Sequence, residues 1–130
     1  ISHLITSVAG CSAFYKGSVT AYSNEIKEKI LGINTKTLFD FGAVSEEVAK
    51  EMAVGARRVL NSDFAVATTG IAGPDGGSEE KPVGTVWIAV ASENKVIAKK
   101  FIFGDNRERN ILRSSQTALQ LLRKITLDEF

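Results

Sequence analysis

The sequence has little of what disulfides, metal sites and membrane spans require. Its 130 residues include one cysteine, Cys11, and one histidine, His3. A single cysteine excludes an internal disulfide, and so few soft ligands argue against a structural zinc site. The longest apolar runs fall far short of the roughly 18 residues that cross a bilayer, and no signal-peptide pattern opens the chain. We therefore expect a protein of the reducing cytoplasm that has no membrane partner.

The sequence also lacks an excess of charge of either sign. Lysine and arginine number 16 against 15 aspartate and glutamate residues, for a net charge of +1. Bulk electrostatics therefore gives no reason to expect nucleic acid as a partner. The length, with 44% hydrophobic and 24% charged residues, fits a single domain over residues 1–130. Because the chain starts at Ile1 in the middle of a periodic pattern of apolar residues, we expect that domain to be truncated at its N-terminus.

Apolar spacing and turn residues predict the helices and strands. Ser23 and Ser45 are suited to cap two helices, and Gly32 is suited to end the first of them. The closing helix carries an apolar face that runs from Ile111 to Leu122. The predicted helices cover residues 1–7, 24–31, a short turn within 33–42, 46–60 and 106–124, and the predicted strands cover 13–22, 63–69, 85–91 and 96–103.

The order of these elements predicts the fold class. Helices separate the first strands, a pattern typical of parallel neighbours. Residues 92–95 separate the last two strands and predict an antiparallel hairpin. We therefore expect an α/β protein, with three α/β/α layers and a mixed, mostly parallel sheet that contains one antiparallel hairpin.

A glycine-rich segment follows the predicted strand 63–69. Residues 70–84 contain five glycines and two prolines. Loops at the carboxyl ends of strands are where α/β sheets place ligands, and free glycine N–H groups can cradle an anion such as phosphate. Thr68 and Thr69 add hydroxyl groups at the strand tip. The alternative is a surface loop that only turns the chain, although loops of this length are uncommon in compact domains unless functional or disordered.

Two further segments carry candidate chemistry. Lys27 follows Tyr22 near the start of the predicted helix 24–31, and a partly desolvated lysine there has the lowered pKa that suits a general base. The alternative is a solvated lysine beside a half-buried tyrosine. Arg107 and Arg109 lie near the start of the last helix, where the helix dipole disfavours cations and an anionic ligand would relieve the conflict. The alternative there is an exposed charged turn.

Four ordered motifs resemble the C-terminal domain of CinA (competence/damage-inducible protein) and the stand-alone PncC enzymes. They are Tyr-Ser-Asn-x-x-Lys at 22–27, Gly-Ala-Val-Ser-Glu-Glu-Val-Ala at 42–49, Thr-Gly-Ile-Ala-Gly-Pro-x-Gly-Gly at 69–77 and Lys-Pro-Val-Gly-Thr-Val-Trp-Ile-Ala at 81–89. The similarity runs from Ile1 to about Leu122. It implies a three-layer α/β/α fold and the hydrolysis of nicotinamide mononucleotide to nicotinate mononucleotide and ammonia, a step in pyridine nucleotide recycling. It implies no metal or organic cofactor, and a homodimer or higher homo-oligomer.

The resemblance also implies a set of site residues. Lys27, Tyr22 and Thr69 match the family's catalytic lysine, tyrosine and threonine. Because Asn106 interrupts the family's Gly-Asp-Arg segment, Arg107 and Arg109 both remain candidates for its arginine. The family's nucleophilic serine belongs to a Glu-Ser-x-Thr-Gly-Gly motif, which we expect just before Ile1, so Ser2 is not that serine. The substrate-binding candidates are Arg107, Arg109, Gly70, Gly73, Gly76, Gly77 and Ser45.

Two other functions remain open at this point. One is a nucleotide-binding module without catalysis, and the other is a competence-linked or damage-linked regulatory module. The residues ahead of Ile1 discriminate between them and the enzyme, because a replaced serine favours binding alone.

Overall fold

The computed structural model describes residues 1–127, and residues 128–130 of the predicted domain lie outside the described residues. The helices are α1 (Ser2–Thr6), α2 (Asn24–Leu31), α3 (Thr35–Phe41), α4 (Glu46–Leu60) and α5 (Arg107–Thr126), with a 3₁₀ turn at Cys11–Ala13. The strands are β1 (Ala65–Gly70), β2 (Thr85–Ala91) and β3 (Val96–Ile102). Within residues 1–127, none of the helices combines the length and the apolar character that a membrane span needs.

The helices that carry site residues begin and end at the predicted capping residues. The Ser23 hydroxyl accepts a hydrogen bond from the Ile26 N–H at 3.2 Å, which caps α2. Gly32 ends α2 with a φ of 72°, a left-handed conformation that glycine adopts without steric cost. The Ser45 hydroxyl caps α4 in the same way, at 3.3 Å from the Val48 N–H. Both predicted caps are confirmed, and α2 and α4 span the predicted residues.

The sheet has the order β1-β2-β3, and both pairs are antiparallel. The prediction of a mostly parallel sheet is therefore wrong. The expected parallel neighbours were the predicted strands 13–22 and 63–69, but within residues 1–127 the segment 13–22 pairs with no strand. Residues 71–84 then join β1 to β2 without the crossover helix that a parallel connection usually needs. The Ile71 N–H donates to the Thr85 carbonyl at 2.9 Å, and the Gly84 N–H donates to the Ile71 carbonyl at 2.7 Å. These bonds continue the antiparallel ladder into the loop.

Helices cover both faces of this sheet. On one face, alanines 67, 89 and 91 pack in a buried cluster with residues of α2 and α4. On the other face, Val86, Ile88 and Val90 pack against α5. The small side chains on the first face let α4 lie close to the strands. The α/β class is confirmed, with helices on both sides of a three-stranded antiparallel sheet.

The buried face of α5 differs from the predicted face. The buried residues are Asn110, Ala118, Leu121 and Ile125. Ile111, which we expected to face the core, is 51% exposed. The apolar stripe is thus rotated, because the helix turns the Asn110 side chain inward towards the glycine loop.

The predicted strand 13–22 is not paired. Within residues 1–127, residues 16–22 make no backbone–backbone hydrogen bond. Their burial nevertheless alternates as it does in a strand: Tyr15, Gly17, Val19 and Ala21 are more buried than the residues between them. The composition thus predicted a strand that the structure does not form, because strand pairing depends on a neighbour that residues 1–127 do not supply.

Candidate functional site

A groove of about 790 Å³ lies between residues 14–22 and β1. Its lining also includes residues of α4, such as Met52, and residues of α5, such as Asn110 and Ser114. Two of the predicted site residues, Tyr22 and Gly70, line it, whereas Lys27 and Thr69 are buried outside its lining. The groove borders β1 along the edge that β2 leaves free.

Lys27 is a buried lysine of the candidate site. It lies on α2 and is only 7% exposed. Its Nζ donates to the backbone carbonyl of Tyr22 at 3.0 Å. Burial lowers the pKa of Lys27, and the charge interaction with the Tyr22 phenol opposes that shift. The alternative of a solvated lysine is therefore wrong, and the lowered pKa favours the neutral amine that a general base requires.

The backbone carbonyl of Tyr22 accepts the hydrogen bond from Lys27. The Tyr22 side chain is 83% exposed and lines the groove, so it is not the half-buried residue of the alternative interpretation. A phenol in that position is accessible to a ligand in the groove. The pair thus presents an exposed hydroxyl and a buried amine from one short segment.

Three consecutive carbonyl oxygens at the end of α3 and just after it each accept a hydrogen bond. The three donors belong to three different sequence motifs. The carbonyls are those of Phe41, Gly42 and Ala43, and their donors are Lys81 Nζ at 2.8 Å, Ser45 Oγ at 2.8 Å and Thr69 Oγ1 at 2.7 Å. This turn therefore ties the end of β1, the start of α4 and the end of the glycine loop together. The sequence analysis did not foresee Lys81, although it belongs to the fourth motif.

The Ser45 hydroxyl makes two hydrogen bonds at this turn. It donates to the Gly42 carbonyl and accepts from the Val48 N–H. Ser45 is also only 6% exposed. These contacts give Ser45 a capping role in the turn next to Thr69, and its predicted contact with substrate has no support from this geometry.

The glycine loop presents free backbone donors. Within residues 1–127 no acceptor takes the N–H groups of residues 72, 73, 75, 76 and 77. Gly73 has a φ of 88°, and a Cβ built there would lie 2.5 Å from the Val83 side chain. Only glycine fits such a left-handed and crowded position. The loop can therefore offer several N–H groups to an anion or a developing oxyanion.

Two side chains from the start of α5 hold the entry to this loop. Arg107 Nη1 donates to the Gly73 carbonyl at 2.7 Å. Asn110 Nδ2 donates to the carbonyls of Ala72 and Gly104, both at 2.9 Å. The sequence analysis missed Asn110, and the signal that could have found it is a polar residue in helical register with Ala118, Leu121 and Ile125.

Arg109 does not share these contacts. Its backbone N–H donates to the Asn106 side chain, which caps α5 at 2.9 Å. Within residues 1–127 the Arg109 guanidinium makes no hydrogen bond or ion pair, and Arg107 is thus the arginine that reaches the loop. The described part of the chain also contains no group of three or more His, Cys, Asp or Glu residues placed to hold a metal ion.

Nearly the whole chain is similar to proteins of a known family. The family described as the CinA C-terminal domain matches residues 1–126. A CinA-like protein of Cytophaga hutchinsonii is 49% identical over 124 residues, which is 95% of this chain and 30% of that protein. A CinA-like protein of Fervidobacterium nodosum gives the same identity and coverage. The chain thus spans about 30% of the length of the curated relatives that it matches.

Solved structures with the same fold belong to related proteins. The competence/damage inducible protein CihA from Agrobacterium tumefaciens superposes with a TM-score of 0.94 at 42% identity, over 96% of this chain and 77% of that one. A competence-damaged protein (CinA) superfamily protein from Escherichia coli superposes with a TM-score of 0.90 at 30% identity, over 95% of this chain and 72% of that one.

Proposed function

The chain belongs to the CinA C-terminal domain family, and we propose that it carries the base and the substrate-binding loop of a nicotinamide mononucleotide amidohydrolase. The products are nicotinate mononucleotide and ammonia. The observation that carries this proposal is the buried amine of Lys27, whose pKa is lowered by desolvation beside the groove-lining Tyr22. A perturbed lysine next to a groove is a candidate for acid–base chemistry.

Lys27 supplies the proton transfers in this proposal. Neutral Lys27 takes the proton of a hydroxyl nucleophile, whose oxygen attacks the carboxamide carbon. The resulting lysinium then protonates the leaving nitrogen, and ammonia departs as the acyl intermediate forms. Water hydrolyses that ester and restores the hydroxyl. The nucleophile is the serine of the Glu-Ser-x-Thr-Gly-Gly motif that the resemblance implies ahead of Ile1.

Thr69 and the glycine loop divide the recognition of the carboxamide. The only hydrogen of the Thr69 hydroxyl is donated to the Ala43 carbonyl. Thr69 is therefore left with lone pairs, which suit it to accept from an N–H of the carboxamide. The developing oxyanion needs donors instead, and free loop N–H groups such as that of Gly73 provide them.

Arg107 and the loop suit the phosphate of the nucleotide. The guanidinium lies against the Gly73 carbonyl at the N-terminal end of α5, where the helix dipole adds positive potential. Arginine and free backbone N–H groups are common ligands of phosphate oxygens. The negative charge of the substrate thus offsets the cluster of positive charge at the loop entry.

Ammonia release from nicotinamide mononucleotide tests the proposal. The protein that includes the predicted serine motif is expected to release ammonia, and Lys27→Met is expected to lose at least about 100-fold in kcat, within the range for removal of a general base. Lys29→Met is the matched control, because Lys29 lies on the same helix but is exposed and pairs with Glu25. No release by the native protein contradicts the proposal, whereas unchanged release by Lys27→Met contradicts only the role of Lys27.

A second candidate function is a nucleotide-binding module without catalysis. It is favoured by one observation: within residues 1–127 the glycine loop has N–H groups without an acceptor, and these can bind a nucleotide phosphate without any nucleophile. Calorimetry separates the two functions, because nucleotide binding without ammonia release supports this module and contradicts the amidohydrolase.

A further inference from the structure

Asn110 is a buried polar residue at a junction of three backbone segments. It is 2% exposed and lies in the first turns of α5. Both hydrogens of its amide nitrogen are used, since Nδ2 donates to the carbonyls of Ala72 and Gly104 at 2.9 Å. A buried asparagine that satisfies two carbonyls fixes the distance and the orientation between them.

The two carbonyls lie just beyond the ends of β1 and β3. Ala72 lies two residues after β1, and Gly104 lies two residues after β3. Gly104 also lies close to Gly84 at the exit of the loop, because a Cβ on Gly84 would lie 2.6 Å from the Gly104 nitrogen. The neighbouring Phe103 N–H donates to the Gly84 carbonyl at 3.0 Å. One side chain therefore connects the entry of the loop to the backbone against which its exit packs.

We infer that Asn110 is a positioning residue that fixes the direction of the free N–H groups in the glycine loop. It acts through the Ala72 carbonyl and does not itself contact the substrate. The peptide plane that carries this carbonyl also carries the Gly73 N–H, so the Asn110 bond sets where that donor points. The functional part of this inference rests on the proposed binding of nicotinamide mononucleotide, whereas the structural part does not.

The test compares the native chain with Asn110→Asp. Aspartate has the same shape, but its ionised form cannot donate a hydrogen bond to either carbonyl. Gln116→Glu is the matched control, because it makes the same amide-to-carboxylate change on α5 at an exposed residue outside the groove lining. Two measurements are made on each chain, namely backbone amide order parameters by NMR and the Kd for nicotinamide mononucleotide.

We expect Asn110→Asp to lower the order parameters of residues 72–77 to below about 0.6, the range of flexible backbone, while those of β2 stay near 0.85. We expect its Kd to rise about tenfold, as for the loss of one preorganised donor, and Gln116→Glu to match the native chain in both measurements.

The outcomes separate the inference from the proposed function. Unchanged order in residues 72–77, or an equal loss of order in β2, overturns the positioning role. A mobile loop with an unchanged Kd overturns the link to ligand binding. If the native chain does not bind the nucleotide, the proposed function fails, and the order parameters still decide whether Asn110 positions the loop.

Discussion

The hydroxyl of Thr69 donates to the backbone carbonyl of Ala43 at 2.7 Å. This bond joins the end of β1 to the segment before α4. The two residues are 26 positions apart, and Thr69 is only 7% exposed. This bond consumes the single hydrogen of the hydroxyl. It therefore limits Thr69 to accepting further hydrogen bonds, which bears on both its chemistry and its contribution to stability.

Thr69→Val tests that contribution. Valine keeps the shape of threonine but leaves the Ala43 carbonyl without its donor, so we expect the free energy of unfolding to fall by about 1–3 kcal/mol. Urea denaturation followed by circular dichroism measures the change. Thr69→Ser keeps the hydroxyl and is expected to lose less. Equal stability of Thr69→Val and the native chain contradicts the importance of the bond.

Lys27→Met tests the cost of burying the amine. Because the folded-state pKa of Lys27 lies below its unfolded value, the unfolded chain binds more protons between those two values, and stability rises with pH in that window. We therefore expect Lys27→Met to be more stable than the native chain at neutral pH. That advantage shrinks as the pH rises towards the ordinary lysine pKa of about 10.4. Thermal unfolding between pH 7 and pH 10 checks this, and an advantage independent of pH argues against a buried charge.

Gly84→Ala and Gly10→Ala form a matched pair of glycine substitutions. Both glycines have positive φ, at 90° and 87°. A Cβ at Gly84 collides with the Gly104 backbone, whereas a Cβ at Gly10 meets nothing within 4 Å. We expect Gly10→Ala to cost about 1–2 kcal/mol from backbone strain alone, and Gly84→Ala to cost more than about 4 kcal/mol. Equal losses in urea denaturation are incompatible with the close approach of the two loops.

Arg107→Gln and Arg109→Gln separate the two candidate arginines. Arg107 reaches the Gly73 carbonyl, while the Arg109 guanidinium has no partner within residues 1–127. We expect the first substitution to raise the Kd for nicotinamide mononucleotide about tenfold, as for a lost charge-assisted hydrogen bond. The second changes only screened charge and is expected to stay within about twofold. Calorimetry on both variants decides, and a larger effect at Arg109 assigns the site to that arginine.

Local signals predicted the helices and strands well. The serines before α2 and α4 and the glycine after α2 mark helix ends through short-range hydrogen bonds, which depend only on neighbouring residues. The strand β2 spans the predicted residues 85–91, and β3 ends one residue before the predicted end at 103. The burial of Lys27 did not follow from its spacing, which left a solvated lysine open, and only the packing of the folded chain decides it.

Strand direction and the loop clamps depended on distant residues. Whether β1 and β2 run parallel is decided by the path of residues 71–84, which composition alone does not determine. The helical register of Asn110 indicates that it is buried but not what it binds, because its partners Ala72 and Gly104 are brought to it only by the folded sheet. The donors to the carbonyls of Phe41 and Ala43, which are Lys81 and Thr69, likewise come from distant segments. Such contacts are set by topology and not by pattern.

Within residues 1–127 one edge of β1 has no paired strand, and this edge affects the tendency of the chain to aggregate. Residues 65–70 read Ala-Val-Ala-Thr-Thr-Gly and carry neither charge nor proline. One side of this strand pairs with β2, and its other side faces the groove. An uncharged edge of this kind is a template for intermolecular strand addition and aggregation. The groove that makes a ligand accessible thus also makes this chain prone to self-association at high concentration, and a lysine in place of Thr68 would act as a gatekeeper against it.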